Sequence, residues 1–207
     1  MTKPTWREEK KLWKLGYQSV AGVDEAGRGA WAGPLVAAAV ILPKNFRVSG
    51  LNDSKKLSAS QRERLFEIIK RQALAWRVSV ISVEEIDRYG VGRANIKALQ
   101  QCAQNLKNKP DFVLVDGFTI DFGTIQSKSI VHGDAKVMSI AAASIVAKVT
   151  RDRMMVALHK KYPLYYFHKH KGYGTALHHQ AIRRHGLTPL HRVSYKPIKK
   201  YVKNIHT

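Results

Sequence analysis

The stretch Val23-Asp24-Glu25-Ala26-Gly27-Arg28-Gly29 constrains this chain more than any other. A run that reads as a β-strand, Ser19 to Asp24, ends on two adjacent carboxylates, and a glycine-punctuated basic loop follows at once. Crowded carboxylates repel, so placing them side by side calls for a cation to share. Successive side chains of a strand point to opposite faces, so both acids aim at one site only if the strand stops at Glu25. Gly27 and Gly29 then supply freedom to turn and leave backbone N–H groups open beside a cationic side chain. The arrangement predicts a divalent metal next to a phosphate; a solvated turn is the plainer alternative.

The charge balance says what kind of partner to expect. The chain has 36 Lys and Arg against 15 Asp and Glu, a net charge of +21 over 207 residues. Such a field favours a polyanion, either nucleic acid or an anionic membrane. The longest apolar run, Trp31 to Leu42, is too short to span a bilayer and carries Gly33 and Pro34. The N-terminus is polar and shows no secretory signal. No membrane association is expected, which leaves nucleic acid. The lone Cys102 excludes an intramolecular disulfide and reads as a small buried hydrophobe. These features together predict a cytoplasmic protein.

The positive charge concentrates at the C-terminal end. From Arg153 to Thr207 there are twelve Lys or Arg residues and no Asp or Glu. Tyrosines and histidines are interleaved: Tyr162, Tyr165, Tyr166, His168, His170, Tyr173, Tyr195 and Tyr201. That mixture suits phosphate contact combined with sugar or base contact.

Strands are expected at Ser19–Asp24, Leu35–Leu42, Trp76–Val83, Phe112–Asp116 and Thr124–Val131. Helices are expected after Leu57 with Ser60 and Glu63 as a capping box, then at Arg93–Leu106, Lys136 to about Lys160, Thr175–Arg184 and Lys199–Asn204. The Ala-rich middle of the long helix, Ile140 to Ala147, must pack closely. Strands first, then strands alternating with helices, predict an α/β fold: a mixed sheet flanked by helices. The strand-free basic residues, roughly 153–207, form a helical appendage within one domain spanning 1–207.

Four acids stand out by position. Asp24 and Glu25 end the first strand, Asp116 ends a later buried strand, and Asp134 precedes the long helix. Each alone has an ordinary explanation, such as a helix cap for Asp134. Converging at one end of a sheet, they make an all-oxygen site suited to Mg²⁺ or Mn²⁺ rather than zinc. Two metals held by shared carboxylates are the apparatus of in-line phosphodiester hydrolysis. Acids, metal and a polyanion-binding surface together point to a nuclease.

The chain also resembles the bacterial ribonuclease HII family, from about Val20 to Pro197. The matching segments are GVDEAGRG at 22–29, AGPLVAAAVILP at 32–43, DSKKLS at 53–58, LVDG at 114–117, GDAK at 133–136, SIAAASIVAKVTRD at 139–152, HKGYGT at 170–175 and HRVSYKP at 191–197. The resemblance implies a ribonuclease-H-like mixed sheet with a C-terminal helical region. It implies a metal-dependent endonuclease that acts on RNA–DNA hybrids and on ribonucleotides embedded in duplex DNA, cutting 5′ of the ribonucleotide to leave 3′-hydroxyl and 5′-phosphate ends. The family's metal-binding acids fall on Asp24, Glu25, Asp116 and Asp134. Its ribonucleotide-contacting motif falls on Gly27, Arg28 and Gly29, and its junction-sensing tyrosine on Tyr173. Exposed backbone groups can bond a 2′-OH, the feature that separates RNA from DNA. Lys55 and Lys56 are candidates for backbone phosphate, as are Arg183 and Arg184 in the basic C-terminal helix.

Ala30-Trp31 departs from the proline and leucine usual after the loop, which puts Trp31 where it could reshape the substrate groove. No clear sliding-clamp motif is visible at the C-terminus, and a monomer is expected. The nearest rival is ribonuclease HIII, which typically carries a large N-terminal substrate-binding domain and lacks the loop arginine. Only 23 residues precede Asp24 here, too few for that domain. A non-catalytic basic RNA-binding protein is the rival of a different class. The acid set argues against it, because unneutralised acids weaken phosphate binding.

Overall fold

A computed structural model describes residues 3–202. Helix α1 (Arg7–Lys14) leads into strands β1 (Val20–Ala26) and β2 (Leu35–Ile41). Helix α2 (Ala59–Gln72), strand β3 (Ala75–Ile81) and helices α3 (Val83–Tyr89) and α4 (Val91–Gln104) follow. Strands β4 (Phe112–Asp116) and β5 (Gln126–Ile130) complete a five-stranded sheet ordered β3-β2-β1-β4-β5. The rest is helical: α5 (Met138–Lys161), α6 (Phe167–His170), α7 (Ala176–His185) and α8 (Lys196–Val202).

The sheet is mixed, as the order of elements predicts. β1 pairs antiparallel with β2 and parallel with β4, and β4 pairs parallel with β5. β1 is therefore central, and its C-terminal end lies beside the C-terminal end of β4. Every residue of β2 is buried, which explains its continuous apolar run. One face of the sheet packs on α4 through Ala98, Leu99 and Cys102. The other packs on α5 and α2 through Leu65, Phe66, Ile69 and the Ala141–Ala143 run. Burying each large side chain of α2 contributes about 1.5–3 kcal/mol.

The close packing expected of the Ala-rich helix is present. A Cβ on Gly22 of β1 would sit 2.2 Å from the Ser139 carbonyl carbon, so α5 crosses the strand where no side chain intervenes. Cys102 is buried, as expected, and its thiol donates to the Leu99 carbonyl at 3.2 Å.

Several sequence readings need correction. β1 does not stop at Glu25 but continues through Ala26, paired with Val36. The capping box of α2 is Ser58 with Gln61, not Ser60 with Glu63. The helix starts two residues earlier than that reading, and Glu63 instead faces Arg153 of α5 at 2.5 Å. Helix α3 carries no sequence expectation; its cap is Ser82, which accepts from the Glu85 N–H. Helix α1 escapes hydropathy reading because its anchor is a carboxylate. Glu9, only 1% exposed, accepts from the N–H and hydroxyl of Ser139 at 2.9 Å each and so caps α5. The last helix starts at Lys196, since Pro197 is tolerated in a first turn, and residues 203 and 204 of the expected span lie outside the described residues.

Candidate active site

The ends of β1 and β4 carry the acids to one place. Asp24 and Asp116 lie one step beyond the paired residues Val23 and Val115, and alternation turns both toward α5. Asp134 reaches them from the single turn Gly133–Ala135 that precedes α5. Carboxylate oxygens of Asp24, Asp116 and Asp134 all lie within 4.8 Å of one another. The Gly133 N–H donates to Asp116 at 2.6 Å, which ties the Asp134 turn to the end of β4. A Cβ on Gly133 would fall 2.6 Å from the Ile140 Cδ1, so a larger residue here would have to displace the buried Ile140 side chain.

Glu25 stands apart from this trio. Because β1 runs on, its side chain points to the α4 face, where it lies 3.9 Å from Arg28 and beside the fully buried Asn95. It still lines the same cleft, of about 400 Å³, with Asp24, Asp116, the Gly27–Gly29 loop, Lys55 and Tyr173. Burial raises the pKa of Asp24 well above the ordinary carboxylate range, and the neighbouring Glu25 adds to it. Burial likewise raises Glu25, against the pull of Arg28. Asp116 is raised by burial, against the Gly133 N–H. A cluster of buried, mutually repelling carboxylates fits a hard divalent cation, which removes the repulsion and supplies what burial took away.

The only cation on the trio among the described residues is Lys55, whose ammonium lies 3.1 Å from Asp134. It supplies part of the positive charge that this carboxylate cluster calls for. Its short helical turn is held by Arg62, which donates to the Ser54 carbonyl at 2.9 Å. Lys56 is exposed and does not line the cleft. Arg183 and Arg184 are also exposed, in the last turn of α7, outside the cleft.

The loop after the acids is built on two arginines that sequence reading missed. Arg192 is fully buried and donates to the carbonyls of Gly27 (2.7 Å), Arg28 (3.1 Å) and Gly33 (2.8 Å). Tyr195 adds a second bond to the Arg28 carbonyl at 2.5 Å. A trans peptide points its N–H opposite to its carbonyl. Holding the carbonyls of residues 27 and 28 inward therefore turns the N–H groups of Arg28 and Gly29 outward. Neither donates to any partner among the described residues. Arg151, also fully buried, donates to the carbonyls of Pro34 (2.9 Å), Lys171 (2.9 Å) and Ala32 (3.1 Å). Desolvation lowers the pKa of Arg151 to about 10, still well above neutrality, so it remains a cation.

The two loop glycines differ. Gly27 has φ +90°, and a Cβ there would lie 1.9 Å from the Arg151 Nε. Gly29 is not at positive φ, and a Cβ there would meet nothing within 4 Å. Gly27 thus serves the fold, whereas Gly29 leaves open space.

Tyr173 faces the cleft with Arg151 (5.2 Å) and Lys148 (5.5 Å) against its ring. Trp31 lies over Gly174, where a Cβ would fall 2.2 Å from the indole, and packs near His178 and His179. The departure at Trp31 is accommodated under the Tyr173 segment. Beyond the arginines, the structure adds Ser144, Lys148 and Asn95 to the site. Arginines and a lysine are inconspicuous in a chain of net charge +21.

Known proteins share this sequence pattern and fold. A ribonuclease HII from Acetivibrio thermocellus is 50% identical over 187 residues, which covers 90% of this chain and 73% of that protein. The crystal structure of ribonuclease H2 from Pyrococcus horikoshii superposes with a TM-score of 0.78 at 28% identity, covering 92% of this chain and 100% of that one. The ribonuclease HII in a PCNA complex from Archaeoglobus fulgidus gives a TM-score of 0.75 at 26% identity, covering 86% and 96%. A sequence model of ribonuclease HII matches residues 21–198, from the first residues of β1 into α8. Sequence, sheet order and family match agree, and the chain belongs to the ribonuclease HII family, nucleases of the ribonuclease H type.

Proposed function

We propose that this chain is a metal-dependent endonuclease that degrades the RNA of RNA–DNA hybrids and incises 5′ of ribonucleotides embedded in duplex DNA. The observation that carries this reading is the outward-facing N–H pair of Arg28 and Gly29 beside the three clustered carboxylates. A ribose presents a 2′-hydroxyl that such donors can bond, and deoxyribose does not. Sugar recognition then lies next to hydrolytic chemistry.

Asp24, Asp116 and Asp134 are the residues to hold Mg²⁺ or Mn²⁺, with Glu25 completing the set from the opposite face of β1. When bound, such ions supply positive charge that stabilises the attacking and leaving oxygens of in-line hydrolysis by two metals, giving 3′-hydroxyl and 5′-phosphate ends. Lys55 neutralises Asp134, and with a cation held by the acids it would be free to pair with phosphate. Arg28 is half-exposed between Glu25 and Phe118 and offers a cation at the sugar–phosphate edge. Gly29 leaves the room that a ribose needs. Tyr173 presents its ring to the neighbouring sugar, where a deoxyribose fits and a 2′-OH would clash. Lys56, Arg183 and Arg184 attract duplex backbone from outside the cleft. One chain supplies every part, so a monomer suffices, and no helix among the described residues is long and apolar enough to cross a membrane. We place the protein in the cytoplasm, in keeping with its single buried thiol.

The test is cleavage of three duplexes of one sequence, RNA–DNA, RNA–RNA and DNA–DNA, with EDTA, Mg²⁺ or Mn²⁺. Cleavage of the RNA strand of the hybrid alone, and only with metal, is expected. Cleavage that persists in EDTA would remove the carboxylate site from the mechanism.

A further inference from the structure

Three histidines lie buried in a row beneath Tyr173: His170, His178 and His191. Their partners dictate their protons. The Thr188 N–H donates to His191 Nδ1 at 2.9 Å, so His191 carries its proton on Nε2. That proton faces His178 Nε2 at 3.1 Å, which makes this atom of His178 the acceptor. His178 then carries its proton on Nδ1 and donates it to the Tyr173 carbonyl at 3.0 Å. The chain of bonds is closed only while both rings are neutral. Burial favours that state, lowering His178 to about 3 and His191 to about 4.

We propose that His191 and His178 form a relay of fixed hydrogen bonds that positions Tyr173 for ribonucleotide recognition. This rests on the reading of Tyr173 as the residue that senses the sugar next to the ribose. The relay links the Thr188–His191 turn, through α7, to the backbone of the sensing residue. The Tyr173 carbonyl also accepts from the Thr175 N–H at 2.9 Å, so both of its lone pairs are used. On the other side, the Tyr173 N–H donates to the His170 carbonyl at 3.0 Å, and His170 stacks on His178 with ring centroids 4.4 Å apart. The backbone under the phenol is thus held from two sides, and the ring has the Lys148 and Arg151 cations against its face. A rigid base of this kind converts binding into correct placement, because small misplacements near a reacting centre are costly. His178 and His191 do not line the cleft; they are positioning residues.

Two amides separate this role from mere packing. In His178→Asn the amide nitrogen falls near the Nδ1 position and keeps the bond to the Tyr173 carbonyl. In His178→Gln the amide falls near Nε2, keeping the partner at His191 and losing Tyr173. The readout is the ratio of incision at a single embedded ribonucleotide to cleavage of a continuous hybrid, measured in one preparation so that the folded fraction cancels. His178→Gln should lower this ratio about tenfold through kcat, with His178→Asn staying within about twofold of the parent. Tyr173→Ala, run alongside, should lower it at least as far. If Tyr173→Ala lowers the ratio and His178→Gln does not, or if both amides lower it equally, the relay is packing only and the proposal fails while the Tyr173 reading stands. If Tyr173→Ala leaves the ratio unchanged, the Tyr173 reading itself fails and takes the relay with it.

Discussion

The two glycines flanking Arg28 should respond to the same substitution in opposite ways. Gly27→Ala places an L-residue at φ +90° with its Cβ 1.9 Å from the Arg151 Nε. A side chain in the left-handed region costs roughly 1–2 kcal/mol. The guanidinium cannot simply swing aside, because it is tied to the carbonyls of Ala32, Pro34 and Lys171. Losing even one of these charge-assisted bonds costs about 1.5–3 kcal/mol. Together the destabilisation is about 3–5 kcal/mol, the range of a diagnostic core defect. Gly29→Ala meets nothing within 4 Å and needs no positive φ, so its effect on stability should stay within about 0.5 kcal/mol. Its methyl group projects into the space assigned to the ribose, so cleavage should fall at least about tenfold. Urea unfolding of both variants, paired with single-turnover cleavage of a hybrid, gives the comparison. A Gly27→Ala protein as stable as the parent would refute the packing argument. A stable Gly29→Ala protein that cleaves normally would refute the assignment of the loop to the sugar.

Other outcomes follow from the same geometry. Asp24→Asn and Asp116→Asn each remove a carboxylate whose pKa is raised by burial; the metal-free protein should become more stable while cleavage drops about 10³-fold or more. Loss of the rise in Tm that Mn²⁺ gives the parent would accompany this, and near-normal turnover in either variant would overturn the acid site. His178 and His191 stay neutral when folded but take up protons below about pH 6.5 when unfolded, so they stabilise fully above that pH and lose the contribution as pH falls toward 4. The contribution of the two rings to the stability read from urea unfolding should therefore decline across that window by up to about 6 kcal/mol, and His178→Asn should flatten the slope. Neutralising Arg183 and Arg184 together should weaken binding to all duplexes alike and make log K against log salt shallower by about 0.9 per lost phosphate contact, without moving the cut. An unchanged salt slope would put the duplex elsewhere, along Lys169, Lys171 and Lys196.

What could be read before folding was whatever the local pattern carries. Asp24 and Asp116 are legible because each closes an apolar run, and Asp134 because it precedes a long helix. The mixed sheet flanked by helices follows from the order of elements, whereas the central place of β1 is seen only in the pairing. The direction of Glu25 is not legible, since it depends on one further residue of pairing between Ala26 and Val36. Arg151 and Arg192 look like any other basic residues in so positive a chain. Their burial and their carbonyl partners, up to 165 residues away in sequence, exist only once the C-terminal region has docked on the Gly27–Gly33 loop. The histidines are hidden for the same reason: Tyr173, His178 and His191 sit on different turns of chain, and nothing in their spacing announces a shared bond. Helix α1 is held by a buried carboxylate on a helix N-terminus, which hydropathy alone counts against burial.

The central claim is that the loop selecting ribose and the acids driving hydrolysis act on the same nucleotide. An end-labelled DNA duplex bearing one ribonucleotide, incubated with the protein and Mg²⁺ or Mn²⁺, tests it at single-nucleotide resolution. The account predicts one nick, on the 5′ side of the ribonucleotide, with 3′-hydroxyl and 5′-phosphate ends, and none in the all-DNA control. A cut on the 3′ side, a 2′,3′-cyclic end, or equal cutting of the all-DNA duplex would contradict it.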